Sequence, residues 1–472
     1  MIRRQFIQNT SLLAAGFALS KNSFAFSTEF PVVRTSLANR RFTSTAIEAA
    51  IQSFSKGVKN KELAWLFENC FPNTLDTTVT FTDGKKPDTY VITGDIDAMW
   101  LRDSTAQVWP YLPFMKDDPK LQQLIAGVIN RQAACVIKDP YANAFYRDET
   151  KVSEWKNDLT AMQPGIHERK WEVDSLCYPI RLAWNYWKKT GDVSPFDAHW
   201  QQAIKATLKT FKEQQRKNND GPYSFQRNTS WATDGVAMAG YGYPIKTVGL
   251  ICSMFRPSDD ATIFSFLIPS NFFAVKSLRQ AAEMMKVIAG DAVTSTTLSA
   301  LADEVEAALK KYAIIHHPQF GKVYPYEVNG YGSYNLMDDA NIPSLLTMPY
   351  LGTVGIEDKI YQNTRSLVLS TSNPFFFKGK AAEGIGGPHV GKDMIWPLSL
   401  VARGLTSHEE KELIYCIKTL KATHANTGFM HESFHKDDSS KYTRKWFAWA
   451  NTIFGELLWK VFTTNPALLN QA

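Results

Sequence analysis

The sequence predicts an all-α fold of helical hairpins, closed into a ring or stacked in an array, with one small β-hairpin near the N-terminus. Three observations carry this. Apolar residues recur at three-to-four spacing along most of the chain, no Pro/Ser/Gly-rich linker divides it, and no repeat of fixed period is visible. The helical stretches are Thr43–Gly57, Asn60–Phe71, Leu121–Ile137, Ser175–Lys189, Trp200–Lys212, Phe272–Ala289, Ser295–Lys311, Lys392–Arg403, His408–Lys421 and Arg444–Phe462. The hairpin is read from two β-like runs, Thr77–Phe81 and Thr89–Ile92, on either side of the turn-forming DGKKPD.

The chain has 472 residues, enough to bury a large core in one domain. Its net charge of +6 comes without any long Lys/Arg block, so nucleic acid is not an expected partner. Aromatic residues make up 13% of the chain and include 13 Trp, a supply of flat apolar faces that suit sugar rings as well as a core.

The N-terminus reads as an export signal over residues 1–25, ahead of a single domain over 26–472. MIRRQFI carries paired Arg3 and Arg4, followed by the short apolar run Leu12–Leu19 and a small-residue cleavage site at Ser23-Phe24-Ala25. R-R-x-F-I is similar to the twin-arginine address, which a receptor reads and which does not anchor. The apolar run is too short to span a bilayer. No Cys precedes Cys70, so no lipid anchor is expected on the mature N-terminus. A periplasmic or secreted protein follows, with no membrane span. The five Cys are scattered without C-x-x-C spacing and read as small buried hydrophobes.

The loops between the helices hold the chemistry-bearing residues. TGDIDAMWLRDS gathers Asp95, Asp97, Trp100, Arg102 and Asp103; KWEVDSLCYP adds Trp171, Glu172 and Asp174; FRPSDDA adds Arg256, Asp259 and Asp260. Asp338 and Asp339 repeat the Asp-Asp pair, and EGIGGPHVGKDMIWP brings His389 and Trp396. Carboxylates and guanidinium grip vicinal hydroxyls while indole covers a ring's apolar face, so the set suits a sugar site. Each loop also has a plain reading: the Asp-Asp pairs as helix caps, Arg102–Asp103 as a structural ion pair. Several such loops together favour the functional one.

GDIDAMWLRDS, the stretch from FRPSDDA to Asn271, and GFMHESFHKDD together resemble the recurring blocks of glycoside hydrolase family 125, in order, over about residues 44–458. The resemblance implies an (α/α)6 barrel and an exo-acting, metal-independent α-mannosidase, which releases terminal α-1,6-linked mannose with inversion and needs no cofactor. It places the general base on Glu432 and the general acid on Asp259, with Asp260 as the alternative. Trp100, Arg102, Asp103, Glu172, Asp174, Arg256, His389 and His431 become the expected substrate-binding residues, and mannose-containing glycans the expected partners.

One motif competes. His431, Glu432 and His435 spell H-E-x-x-H, which on a helix sets two imidazoles one turn apart for zinc with the Glu as base, and Glu456 would be the third ligand. Turn-forming residues bound the motif on both sides, leaving little room for such a helix, so the spacing is read as coincidence. A sugar-binding helical solenoid would need the loops but no catalytic pair. A glucoamylase-like hydrolase is a further alternative, as is an epimerase using His167, His389 or His431.

Overall fold

Polar residues begin most of the outer helices. In the computed structural model, which describes residues 30–472, Ser44, Asn60, Asp118, Asp197, Asp291 and Asp358 each accept a hydrogen bond from a backbone N–H three residues on. Each satisfies one of the four N–H groups that a helix start leaves unpaired. The helices so begun are α1 (Thr45–Gly57), α2 (Lys61–Cys70), α4 (Pro119–Lys138), α6 (Ala198–Gln214), α8 (Ala292–Tyr312) and α9 (Lys359–Val368); α11 is Glu410–Ala422.

A second set starts without a side-chain cap: α3 (Leu101–Val108), α5 (Val173–Thr190), α7 (Ile268–Val287), α10 (Pro397–Leu405) and α12 (Ala448–Thr464). These are the inner helices. Helix α1 buries one stripe, Ile47, Ala50, Ile51 and Phe54, whereas α3 is buried on every side, as a helix surrounded by others must be. Helix α3 packs on α5, α5 on α7, α10 on α12, and α12 back on α3. Outside them, α4 lies on α5 and α6, α8 on α7, α11 on α10, and α2 on α12.

The place between α7 and α10 holds turns instead of a helix. Tyr178 of α5 donates to the Ile342 carbonyl at 2.8 Å, and Tyr350 to Glu456 of α12 at 2.8 Å. The buried Asp338 carboxylate accepts from the N–H groups of Leu345 and Leu346, so it ties down a run of turns and not the helix start that was the plain reading of that residue. The inner set closes into a ring, the fold expected from the family resemblance. Val33–Ala472 forms one compact unit. The expected export signal lies outside the described residues. Among the described residues no helix is long and apolar enough to cross a membrane, and all five Cys are buried and unbridged.

The hairpin is present as β1 (Val79–Thr82) and β2 (Asp88–Val91), paired Val79 to Val91 and Thr82 to Asp88. Short strands then staple the loops just before inner helices. One sheet joins β3 (Met99–Trp100), β4 (Ala144–Phe145) and β5 (Ile166–Glu168); a second joins β6 (Phe266–Leu267), β7 (Glu327–Val328) and β8 (Tyr334–Asn335); a third joins β9 (Met394–Ile395), β10 (Ser433–His435) and β11 (Asp438–Thr443). Two expected helix boundaries move for this reason. The stretch expected from Lys392 turns helical only at Pro397, because Met394 and Ile395 pair with His435 and Phe434. The one expected from Arg444 begins at Ala448, because Arg444 stands in the left-handed region at φ 41°.

Candidate active site

The uncapped starts of α3 and α5 carry acids. Asp103 lies in the first turn of α3, Asp174 in the first turn of α5, and Glu172 is the residue before α5. Negative charge is favoured there by the helix dipole and the free N–H groups. Arg102 sits among them. Its guanidinium lies 2.6 Å from Asp103, 2.9 Å from Asp259, 3.4 Å from Glu172 and 3.5 Å from Asp174. Asn143 donates to both Glu172 (3.3 Å) and Asp259 (3.2 Å).

One guanidinium cannot neutralise four carboxylates, and in a site this buried the surplus charge is costly. The cluster responds by holding protons. Burial pushes the Asp103 carboxyl up against the opposing pull of Arg102. Burial lifts Asp174 to about 7 and Glu172 well above the carboxylate range, the neighbouring Asp259 charge adding to both. Asp259 goes the other way. Burial raises it too, but Arg102, Lys170 and a hydrogen bond from Glu172 outweigh that and hold it well below the usual range. The two neighbours are thus pushed apart, Glu172 toward its protonated form and Asp259 toward its ionised one.

The loop between Phe255 and Phe264 is fixed from both ends. Arg256 N–H donates to the Asp260 carbonyl (2.8 Å) and Asp259 N–H to the Arg256 carbonyl (2.9 Å), which forces Asp259 to φ 67°. A non-glycine residue there is strained, a cost found disproportionately at functional sites. The Asp259 side chain is 20% exposed and that of Asp260 only 2%. Asp260 instead accepts from Thr233 at 2.8 Å and faces His389 at 3.4 Å. Lys170 props the loop by donating to the Asp259 carbonyl at 2.8 Å, while it also meets Asp234 at 2.6 Å. Arg256, expected at the substrate, is committed beneath the loop to Glu327 at 2.7 Å.

Across the ring, Glu432 accepts from Thr443 at 2.9 Å and lies 3.4 Å from Arg444. Arg444 also grips Asp95 at 2.5 Å and donates to Thr93 at 3.1 Å. Gly94 permits this approach: a Cβ there would stand 2.4 Å from the Trp446 carbonyl. Arg444 is close enough to Asp103 to act on its charge. A run of alternating charge thus leads from Asp259 through Arg102, Asp103 and Arg444 to Glu432, with the two candidate catalytic carboxylates at its ends.

The H-E-x-x-H spacing lies on an extended segment entering β10, so the helical face that zinc binding would need does not form. His431 stacks on Tyr442, ring centres 3.7 Å apart, and burial lowers its pKa to about 4. His435 pairs with Met394 in the sheet, and Glu456 is bound to Tyr350. His167, a candidate epimerase base, is buried against Trp100 and Tyr146 and bonded to the Tyr146 hydroxyl at 2.9 Å. Trp100 is itself buried, its indole N–H without a hydrogen-bond partner among the described residues.

The structure brings Arg102, Asp103, Glu172, Asp174 and Asp259 into one cluster, with Asp260 and His389 beside it and Glu432 at the far end. It adds Asn143, Lys170, Thr443 and Arg444, which sequence reasoning missed. Arg444 had one signal, a basic residue just after a segment rich in acids and turn formers; Asn143 had none.

The chain matches the description of the metal-independent α-mannosidases, glycoside hydrolase family 125, over residues 60–459. It is 40% identical over 460 residues to the meiotically up-regulated gene 157 protein of Schizosaccharomyces pombe, covering 93% of this chain and 90% of that one. It is also similar to a Streptococcus pneumoniae metal-independent α-mannosidase solved in a non-productive complex with α-1,6-mannobiose, at 40% identity and a TM-score of 0.87, over 90% of this chain and all of that one. The Saccharomycopsis fibuligera glucoamylase shares the fold, at 11% identity and a TM-score of 0.51, over 93% and 98% of the two chains.

Proposed function

This chain belongs to glycoside hydrolase family 125, the metal-independent α-mannosidases, and from that premise we propose that it removes terminal α-1,6-linked mannose with inversion. The observation that carries the reading is the pair Asp259 and Glu432, each backed by its own arginine and joined through Arg102, Asp103 and Arg444. The α-1,6-mannobiose held by the S. pneumoniae relative supports the linkage.

In this reading Asp259 gives a proton to the glycosidic oxygen as its bond to the anomeric carbon breaks. Glu432 takes a proton from a water that attacks that carbon from the opposite face. Inversion asks for a carboxyl separation of roughly 6.5–9.5 Å, room for the water. The acid needs a proton at working pH, and Glu172 supplies one: transfer along its hydrogen bond leaves Glu172 ionised near Arg102 and Asp259 neutral. A glycosidic oxygen that accepts a hydrogen bond from protonated Asp259 favours that transfer. To His389, facing Asp260, and to Trp100, whose indole N–H has no hydrogen-bond partner among the described residues, this reading assigns the sugar hydroxyls.

The decisive experiment incubates the protein with α-1,6-mannobiose in excess EDTA and follows mannose release. Mannose release unchanged by chelation supports the reading; no release at any pH between 5 and 8 overturns it. We further propose export through the Arg3-Arg4 leader. Fusing residues 1–27 to a reporter and replacing both arginines by lysine tests this, with reporter retained inside the cell as the expected result.

A further inference from the structure

Among the described residues, every strongly exposed Trp and Tyr falls in two segments: Trp231, Tyr241 and Tyr243 in one, Tyr331 and Tyr334 in the other. Exposure runs from 40% for Tyr241 to 65% for Tyr331. The other exposed large apolar side chains are mostly aliphatic and spread along the chain. A gathered set of exposed aromatics marks a binding surface far better than single ones do.

Backbone contacts hold the two segments together. Lys246 N–H donates to the Asn329 carbonyl at 2.9 Å, and a Cβ on Gly330 would lie 2.4 Å from the Lys246 carbonyl, so only glycine admits the approach. The Asn329 side chain accepts from the N–H groups of Tyr331 and Ser333, fixing the turn between β7 and β8. Both segments also clasp the acid-bearing loop. Glu327 of β7 accepts from Arg256 at 2.7 Å and from the Ile263 N–H at 3.2 Å. From the other side, Thr233 donates to Asp260 at 2.8 Å and its carbonyl accepts from Ala261 N–H at 2.7 Å, two residues along from Trp231.

The side matters chemically. A general acid protonates the leaving oxygen, so whatever sugar chain departs lies on the acid's side of the cleaved bond. We propose that Trp231, Tyr241, Tyr243, Tyr331 and Tyr334 form a platform for the leaving-group arm of the substrate, making a mannoside chain of three or more sugars the favoured class over a free disaccharide. Pyranose C–H faces stack on such rings while the hydroxyls stay in water. The inference rests on placing the acid in the Phe255–Phe264 loop.

The test measures calorimetric binding of sulfur-linked α-1,6-mannobiose and α-1,6-mannotetraose, which bind without turnover. The tetraose is expected to bind about tenfold more tightly. Tyr331→Ala/Tyr334→Ala, and separately Trp231→Ala, are expected to abolish that difference while mannobiose affinity and the thermal melt stay unchanged. Equal affinity for both sugars, no binding of either, or variants that keep the tetraose preference each overturn the platform. Variants that alter self-association but not the preference also overturn it. Turnover of the oxygen-linked sugars is read separately: tight tetraose binding with no cleavage leaves the platform standing and sinks the hydrolytic reading.

Discussion

Arg102 holds Asp259 at 2.9 Å through the guanidinium that also binds Asp103, Glu172 and Asp174. The acid side of the site is therefore a cluster of four carboxyls on one guanidinium rather than a single carboxyl. Asp259→Asn is expected to lower kcat/KM on α-1,6-mannobiose by about 10²–10⁴-fold, the usual contribution of a positioned acid. An aryl mannoside with a good leaving group needs no protonation and should recover much of the rate. Asp260→Asn keeps an acceptor for Thr233 but loses the charge that faces His389, so it should depress both substrates alike. Leaving-group-selective loss in Asp260→Asn instead would move the acid to Asp260.

The surplus of carboxylates around Arg102 predicts an asymmetry. Asp103→Asn removes one acid from an over-acidic cluster and leaves the guanidinium three partners. Its melt should shift by less than about 3 °C while kcat/KM falls sharply. Arg102→Met strips from four carboxyls the one cation they all share, a loss of about 3–5 kcal/mol. Because Asp174 titrates near 7 when folded and near 4 when unfolded, the native state holds the extra proton between those values, and stability falls as pH rises through the window. The Arg102→Met melt should therefore lie further below the parent at pH 8 than at pH 5. Equal deficits at both pH values would refute the surplus-charge account.

A remote acid checks both the pH argument and the discarded zinc ligand. Burial lifts Glu456 to about 7, the Tyr350 hydrogen bond, Arg181 and Lys460 opposing. Its proton is retained on folding, so its contribution is complete at low pH and lost as pH rises through 7. Glu456→Gln should match the parent melt at pH 5 and exceed it by a few degrees at pH 8, with mannosidase activity intact at both. Loss of activity restored by zinc would revive the metal reading.

The acids of the site were legible because Asp103, Glu172, Asp174 and Asp259 stand in short loops dense with unusual residues. What they do to one another was not, because Asn143 reaches Asp259 across 116 positions and Arg444 reaches Asp95 across 349. Helix α3 escaped periodicity for a physical reason: LRDSTAQV is buried on every face, so its polar residues meet partners instead of water and no apolar stripe forms. The H-E-x-x-H spacing misled in the opposite way. Its five residues are compatible with a helix, and only pairing of Ser433–His435 with β9 and β11 shows them extended. Strands of two or three residues carry no periodic signal at all, yet they set where the inner helices begin.

Glu432 is where the readings part most sharply. Thr443 and Arg444 hold its two oxygens at 2.9 and 3.4 Å, an arrangement that fixes a carboxylate while leaving its orientation set from one side. Glu432→Gln preserves the Thr443 contact and the volume but cannot accept a proton. As a general base it should cost at least about 10²-fold in kcat, and an activated aryl leaving group should not rescue it, since the water still lacks its acceptor. As a nucleophile it would instead leave a glycosyl-enzyme, trapped by a fluorinated mannoside and visible as added mass. Proton NMR of mannobiose hydrolysis from the first seconds separates the two. β-Mannose appearing before mutarotation follows from water attacking opposite the departing oxygen; α-mannose appearing first requires two inversions and a covalent intermediate, and would take the base role from Glu432.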